Sequence, residues 1–591
     1  MRFSDKPPGS DDGRDRRDGT GAAFTSIVDL LRRRAVEQPH DRAYVFLSDR
    51  GAEQAALTFA ELHRRAHALA ASLLRRAQPG DRALLLFPSG LDFVVAFLAC
   101  LAGRLIPVPI MLPRRASGRG ATEAITVDCA PRLALTTRAM ADARPDVIER
   151  FRGAGPEWVI LDPADELAAA DISVPAAGRD DIALLQYTSG STADPKGVVV
   201  THGNVLANSD MIRRAFAGTR ASAFVSWVPH YHDMGLILNI MQTLYLGTLC
   251  VLIAPATFVH RPLTWLRAIH AFRAEIATGP NFAYDLCVQR FRPDQMRDLD
   301  LSCWKLALNG AEPVRQDTID RFVATFTPHG FAPNAIYPAY GLAEATLLVS
   351  GGRRDAGAVG RQVSRSALAG GHVAAATPDD CQSLVGCGQT LVGERIAIVD
   401  PQTCQRLAAN RVGEIWVDGP NVTKGYWQNA EATAATFQAR IAGEAGQSWL
   451  RTGDLGFLDD DGELFVTGRI KDVIIIRGMN HYPQDIENTV QCVHPALSRN
   501  CGAAFVAEDA DGRERLVIVQ EVERTFRHQI DASGLVASIR EAVVEEHEIN
   551  VDEMVFIAPG TLPKTTSGKV QRRLTRRLWT DGTLDQLAWA R

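Results

Sequence analysis

The sequence predicts an α/β protein: a large N-terminal domain of layered α/β subdomains, a small β-rich subdomain, and a small α/β domain at the C-terminus. Three observations carry this. From about residue 25, apolar strands alternate with amphipathic helices, the pattern of parallel strands joined by helical crossovers. The 591 residues suit two to four domains rather than one. After Cys387 the segments shorten and become turn-rich, and near Lys471 a strand–helix alternation begins again.

The elements follow in chain order. Residues 1–22 are polar and charged and read as a flexible lead-in. Ile27, Leu30 and Leu31 signal a helix capped by Thr25 or Ser26. A second helix is expected over 58–77, closed by Pro79-Gly80. A strand at 83–87, a helix at 90–102 and a strand at 105–110 come next. Residues 93–112 are the most apolar stretch, but Gly103, Arg104, Pro107 and Pro109 make it a buried helix, turn and strand rather than a membrane span. Strands are expected again at 182–187, 223–228, 249–253 and 305–309. Residues 351–388 break the rhythm and read as a long surface loop. Short strands at 395–400, 412–417 and 462–467 suggest the β-rich subdomain. The last unit has strands at 473–476, 503–506, 516–522 and 554–557, with helices at 484–493 and 535–544. It is joined through Gly468-Arg469-Ile470-Lys471-Asp472, so the large domain is expected over 23–468 and the small one over 469–591.

Composition narrows the function. Apolar residues make up 46% and charged residues 23%, enough for a sizeable core. The net charge of −5 provides no global basic field to hold a nucleic acid. Ten cysteines show no CxxC, zinc or disulfide spacing, so reduced core thiols in a cytoplasmic protein are expected. No apolar stretch follows a basic start, so no secretory signal is expected. Only seven of the 64 basic residues are lysines, an arginine bias that suggests a GC-rich bacterial source. Four of the seven fall in the motifs below, where a compact ammonium has a use.

The strongest motif is Tyr187-Thr-Ser-Gly-Ser-Thr-Ala-Asp-Pro-Lys-Gly197, after an apolar strand and before a helix near Thr201. Thr188, Ser189, Gly190, Ser191 and Thr192 can wrap a polyphosphate with backbone N–H groups and hydroxyls, and Lys196 adds a charge. The Walker A order is absent. In Trp227-Val-Pro-His-Tyr-His-Asp-Met-Gly235, His232 can orient a carboxylate, and Asp233 can hold an amine or act as a cap. Gly310 in Asn309-Gly-Ala-Glu-Pro313 allows close approach to a flat ring. Tyr340-Gly-Leu-Ala-Glu-Ala-Thr346 is expected to open a helix; Tyr340 can stack on a base, and Glu344 suits Mg2+, which takes a carboxylate together with phosphates. Arg451-Thr-Gly-Asp-Leu-Gly456 is expected to place Asp454 in a turn, where its carboxylate can accept from two ribose hydroxyls. In Leu562-Pro-Lys-Thr-Thr-Ser-Gly-Lys-Val-Gln-Arg572, Lys569 at a loop tip can deliver one charge into a cleft.

In this order the motifs resemble the adenylate-forming superfamily: acyl-CoA synthetases, peptide-synthetase adenylation domains and luciferases. The resemblance runs from about residue 25 to the C-terminus. Three spellings are similar to those of fatty acyl-AMP ligases: Pro229-His-Tyr-His-Asp-Met-Gly-Leu-Ile237, Gly341-Leu-Ala-Glu-Ala-Thr-Leu-Leu-Val-Ser-Gly351 and Arg477-Gly-Met-Asn-His-Tyr-Pro-Gln-Asp-Ile-Glu487. Residues 352–386 sit where those ligases carry an insertion.

The resemblance implies ATP- and Mg2+-dependent conversion of a medium- or long-chain fatty acid to acyl-AMP and pyrophosphate. Thr188 to Thr192 and Lys196 would hold the β/γ-phosphates, and Glu344 with Thr188 would hold Mg2+. Gly310, Ala311, Glu312, Tyr340 and Gly341 would line the adenine, Asp454 and Arg469 would fix the ribose, and His232 would sit by the acyl carboxylate. Lys569 would reach carboxylate and α-phosphate, on a small mobile domain that turns about a hinge at Lys471. The acceptor implied is the phosphopantetheine thiol of an acyl carrier protein acting in trans, for polyketide or nonribosomal-peptide synthesis, with the insertion hindering transfer to CoA. A fatty acyl-CoA synthetase is the alternative. An amino-acid adenylating enzyme would use Asp233 for the amine, and a silent sensing module would be expected to lack Lys569, Glu344 or the phosphate loop.

Overall fold

The computed structural model describes residues 24–112, 121–151, 155–162, 176–188, 195–476, 479–508, 514–526, 531–565 and 568–587. The expected lead-in 1–22 and residues 189–194 of the phosphate motif lie outside them.

Among the described residues, the largest sheet has nine strands. Their order is Gln389–Thr390, Leu348–Gly351, Ile336–Gly341, Leu306–Asn309, Ile276–Gly279, Phe224–Ser226, Cys250–Leu252, Arg42–Leu47 and Glu53–Thr58. The inner ladders are parallel and the three outer ones antiparallel. Inner strands covered on both faces need apolar side chains throughout. Their alternate residues therefore divide between two cores: Tyr44, Phe224, Ile276 and Leu306 on one face, and Val45, Val225, Ala277 and Ala307 on the other. A second, all-parallel sheet runs Ile106–Pro109, Arg82–Leu85, Leu133–Thr137, Glu157–Leu161. No described helix is long and apolar enough to cross a membrane.

Three expectations are corrected. Tyr340–Thr346 does not open a helix: Ile336–Gly341 is a strand, Ala343–Ala345 a single 3-10 turn, and Leu348–Gly351 returns antiparallel. Gly341 makes the reversal tight, since a Cβ there would lie 1.9 Å from the Leu347 carbonyl oxygen. Asp454 is not in a turn but within strand Leu450–Leu458. Residues 351–388 are not one loop; Gly360–Val363 pairs with Gln382–Val385 and helix Arg365–Ala369 lies between them. Val363 and Leu368 of this segment are buried with Phe457, Phe465 and Tyr482. The cysteines are unpaired, but only five of the ten are buried.

The C-terminal sheet, Leu497–Glu508, Glu514–Val522 and Glu553–Ile557, shows the same two-faced logic. Ala504, Leu516, Ile518 and Phe556 pack with helices Pro483–Val493 and Ala532–His547, while Ala503, Phe505, Val517 and Val519 pack with Leu562 and helix Arg572–Thr580. Side chains alternate across a strand, so one three-stranded sheet supports helices on both sides.

The helix that follows the phosphate motif is fixed at its start by a reciprocal cap. Thr201 Oγ1 accepts from Asn204 N–H at 3.1 Å, and Asn204 Oδ1 accepts from Thr201 N–H at 3.1 Å. Replacing the capping oxygen removes a partner for a helix-end N–H, so T201A is expected to cost about 1 kcal/mol. Thermal melting should show a small downward shift, about 2 °C or less in a chain of this size. An unchanged midpoint would mean that strand Lys196–Thr201, which leads into this helix, rather than the cap fixes it.

Candidate active site

Parallel strands in one sheet point their C-terminal ends the same way, and ligands bind outside those ends. Four neighbouring strands deliver the motif residues there. Phe224–Ser226 leads to His232 and Asp233, Ile276–Gly279 to Phe282, Leu306–Asn309 to Gly310 and Glu312, and Ile336–Gly341 to Glu344.

The phosphate motif is a hairpin between antiparallel strands Ile182–Thr188 and Lys196–Thr201, with Thr188 opposite Lys196. Ser189, Gly190, Ser191 and Thr192 thus belong to the connection and lie outside the described residues. Gly197 is needed at the base, because a Cβ would meet the Tyr187 ring at 2.8 Å. The Lys196 ammonium lies 4.8 Å from the Tyr426 ring centroid, a cation–π distance.

His232 Nδ1 lies 2.6 Å from Asp233 Oδ1, which also accepts from Met234 N–H at 2.6 Å. Asp233 thereby caps Met234–Met241, a fully buried π-helix, a form that recurs at functional sites. Burial pushes the Asp233 carboxyl up, but His232 and Lys569 outweigh burial and hold it low. Asp233 is thus the cap that the sequence allowed, with both contacts made by Oδ1.

Asp454 is buried and engaged on both oxygens. Tyr340 Oη donates to Oδ2 at 2.8 Å and Arg469 Nε to Oδ1 at 2.9 Å. Asp454 and Arg469 are cross-strand partners in register, which brings the two side chains together. Asp454 is the main reason that the Arg469 guanidinium is held charged. Burial pushes the Tyr340 hydroxyl up and Asp454 adds to it, so Tyr340 remains a donor.

Glu344 Oε1 accepts from Tyr426 Oη at 2.9 Å. Burial raises its carboxyl and Asp233 adds to that, while Arg469 opposes it. At Gly310 a Cβ would lie 2.8 Å from the Ala339 carbonyl oxygen, and Ala311 has φ +68. The Asn309–Pro313 loop is therefore pressed against the neighbouring strand in a conformation that residues with a side chain seldom adopt. Glu312 accepts from Phe282 N–H at 2.6 Å, at the start of helix Asn281–Arg290. Its carboxylate is thus occupied as a helix-end acceptor, and burial pushes it up.

Lys569 arrives from the C-terminal unit. Its loop is pinched by Thr565 N–H donating to the Lys569 carbonyl at 2.6 Å and Lys569 N–H donating to Thr565 Oγ1 at 3.0 Å. Gly568, at φ +88, lies against Phe282, whose Cε1 is 3.2 Å from where a Cβ would be. Burial lowers the Lys569 ammonium, and so does Arg469; Asp233, Asp454 and Glu312 oppose them. The Lys569 side chain is therefore in electrostatic reach of all four charged groups. Further contacts hold the C-terminal unit in place: Arg315 donates to the Gln484 carbonyl at 3.2 Å, Gln382 to Asp485 at 2.8 Å, and Arg365 to the Glu546 carbonyl at 2.7 Å. Lys471 is exposed in the turn between strands Leu464–Arg469 and Ile474–Ile476.

Sequence reasoning missed Tyr426 and Phe282. Tyr426 had a signal, since Asn421-Val-Thr-Lys-Gly-Tyr-Trp427 sets two polar aromatics side by side next to a lysine and a glycine. Phe282 had none, being one of 23 phenylalanines.

Comparison with known proteins points the same way. The profile of the AMP-binding enzyme family matches residues 31–427, and that of the Disco-interacting protein 2-like AMP domain matches 471–588. The medium-chain-fatty-acid–[acyl-carrier-protein] ligase JamA of Moorena producens (strain JHB) is 42% identical over 576 residues, covering 95% of this chain and 96% of that protein. The putative fatty-acid–CoA ligase fadD25 of Mycobacterium tuberculosis is 37% identical, with 93% and 96% covered. The crystal structure of a fatty acyl-adenylate ligase from L. pneumophila, in complex with acyl adenylate and pyrophosphate, is 38% identical with a TM-score of 0.72, covering 95% of this chain and 97% of that one. With the motif residues gathered at one end of one sheet, and with these matches along nearly its whole length, this chain belongs to the AMP-binding enzyme family.

Proposed function

We propose that this protein joins a medium- or long-chain fatty acid to AMP at the expense of ATP, releasing pyrophosphate, and then passes the acyl group to the phosphopantetheine thiol of an acyl carrier protein, forming a thioester and releasing AMP. The observation that carries this reading is the Lys569 loop, seated against Phe282 at Gly568, with Lys569 in electrostatic reach of Asp233, Glu312, Asp454 and Arg469. Two anions must meet for a carboxylate to attack a phosphate, and a cation placed between them offsets their repulsion.

In the first step a carboxylate oxygen of the fatty acid bonds to the α-phosphorus. The bond from that phosphorus to the β-bridging oxygen breaks, and the electron pair leaves with pyrophosphate. Lys569 donates hydrogen bonds to the oxygens gathering charge. His232, fixed by Asp233, orients the fatty-acid carboxylate. Asp454 accepts from the ribose hydroxyls, beside Arg469, and Lys196 faces the departing phosphates. Bringing the reactants together in one geometry supplies much of the rate.

Mg2+ is expected at Glu344. The described residues contain no group of three metal-ligating side chains. Glu344 offers one partly buried carboxylate, which suits a hard cation that takes most of its ligands from phosphates and water. When bound, such an ion neutralises phosphate charge.

The relatives divide over the acceptor: the name of JamA specifies an acyl carrier protein, that of fadD25 CoA. Mass spectrometry of products from the protein with MgATP, C8–C18 fatty acids and either CoA or a phosphopantetheinylated carrier protein tests this. Acyl-AMP that persists with CoA and is consumed by the carrier supports the proposal. Acyl-CoA formation would make the protein an acyl-CoA synthetase.

The electrostatics of Lys569 add a pH prediction. Burial and Arg469 favour the neutral amine, and only the ammonium assists the reaction. Activity is therefore complete below the folded-state pKa and is lost as pH rises through it. In kcat/KM, which reports the free enzyme, the alkaline limb is expected below the ordinary lysine value of 10.5. In kcat it should move up, because bound phosphates favour the ammonium. A limb in kcat/KM at or above 10.5 would mean that Lys569 is not the titrating group.

A further inference from the structure

The turn that carries Glu344 is strained. Thr346 sits at φ +67, ψ −57, a region that a β-branched residue avoids. Such a conformation persists only where its surroundings over-determine it. Here the surroundings are one segment between strand Gly413–Asp418 and helix Ala430–Phe437. Asn421 in that segment is fully buried. Its Nδ2 donates to the Ala345 carbonyl at 3.1 Å and to Glu394 Oε1 at 2.9 Å. Its backbone carbonyl accepts from Thr346 Oγ1 at 2.6 Å. Thr423 N–H, two residues on, donates to the Glu344 carbonyl at 2.9 Å. Three consecutive residues, Glu344 to Thr346, are thus gripped from one side. Glu394 is buried too, and its tie is to Asn421 rather than to any charged group of the cleft.

We propose that Asn421 is a positioning residue for Glu344: by holding Ala345 and Thr346 it keeps the turn in its strained form, which aims the Glu344 carboxylate into the cleft. The proposal rests on the reading of Glu344 as the Mg2+ carboxylate. Freed from Asn421, the turn would relax toward an ordinary backbone conformation and the carboxylate would swing with it. Nucleotide contacts made elsewhere in the cleft would remain.

The test is calorimetric binding of α,β-methylene-ATP, which cannot react at the α-phosphorus, to the full-length protein with Mg2+ and with EDTA. N421A is expected to weaken binding about tenfold with Mg2+, about 1.4 kcal/mol, and to leave binding in EDTA unchanged. In an E344Q background N421A should add nothing, since both act through one carboxylate. Glycine adopts a φ of +67 without strain, so T346G should restore Mg2+-dependent binding to N421A. T346G also offers a folded variant if N421A alone does not fold: N421A/T346G must then match wild type in EDTA and lie between wild type and E344Q with Mg2+. Equal losses with and without Mg2+, or additive losses with E344Q, would overturn the proposal and leave Asn421 a general packing residue. Unchanged Mg2+-dependent binding by E344Q would overturn the metal role of Glu344 and the proposal with it. A loss in E344Q with none in N421A would overturn the proposal alone.

Discussion

K569M is expected to lower the rate of pyrophosphate release at saturating ATP and fatty acid by about 10²- to 10³-fold, the usual cost of deleting one well-placed charge-stabilising donor. Nucleotide affinity should hardly change. The Lys569 ammonium is in electrostatic reach of Asp233, Glu312 and Asp454, and its charge is needed most when negative charge is shared between the attacking carboxylate and the α-phosphate. An interaction realised in the transition state appears in kcat rather than in binding. The same lysine makes a second, opposite prediction. Burial disfavours its charged form, so its folded-state pKa lies below the unfolded value. At any pH below the unfolded value, folding must either bury that charge or give up the proton, and both cost stability. K569M should therefore melt no lower than the wild-type protein, and even slightly higher, a stability–activity trade at one residue. K569R would not substitute, because a planar fork cannot occupy the place of a compact ammonium. A kcat within a few-fold of wild type, or a loss of kcat matched by loss of ATP affinity, would remove Lys569 from the reacting centre.

Much of the scaffold was legible because burial leaves a plain mark. The inner strands Leu306–Asn309 and Ile276–Gly279 are covered on both faces, and short apolar runs between turn residues follow from that. The failures share a cause. Gly360–Val363 and Gln382–Val385 pair with each other, and each leaves most of its residues only partly covered; a ribbon that buries one side chain in four shows no period. The Tyr340–Thr346 stretch reads as a helix start because of its alanines, but the return strand Leu348–Gly351 outcompetes that propensity by tertiary pairing. Asp454 was read into a turn on the strength of Gly453, which does have φ +72 but within a strand.

The candidate site divides in a similar way. The residue types are visible in the motifs; the pairings are not, because each joins segments far apart in the chain. Tyr340 and Asp454 are 114 residues apart, and Tyr426 and Glu344 82 apart. No local pattern encodes which buried hydroxyl will meet which carboxylate. The sharing of Asp233 between His232 and Met234 N–H is the exception, being local and fixed by the π-helix that starts there. Glu312 shows the limit of motif reading: its neighbours Gly310 and Ala311 form the tight loop at the strand end, but its own carboxylate is taken up by Phe282 N–H.

D454A is expected to act on the opposite parameter from K569M, raising the KM for ATP by about 10²- to 10⁴-fold with a smaller change in kcat. Each hydrogen bond from a ribose hydroxyl to a carboxylate contributes about 1.5–3 kcal/mol, and two are lost together. The ribose does not change during adenylation, so these contacts bind ground and transition states alike. Stability should also fall. Tyr340 Oη loses its acceptor in a buried position, at about 1–3 kcal/mol. Arg469 adds less, because its side chain keeps half its exposure and water can take over. D454N separates the two effects: the amide oxygen can still accept from Tyr340, while the charge that holds Arg469 and strengthens the ribose contacts is gone. It should therefore recover most of the melting temperature and little of the ATP affinity. Y340F is the complement, removing the donor and leaving the carboxylate free for the ribose, and should hardly alter the KM. If D454A and D454N both bind ATP as tightly as the wild-type protein, Asp454 is a clamp for Tyr340 and Arg469 alone, and the ribose must find its acceptor elsewhere in the cleft.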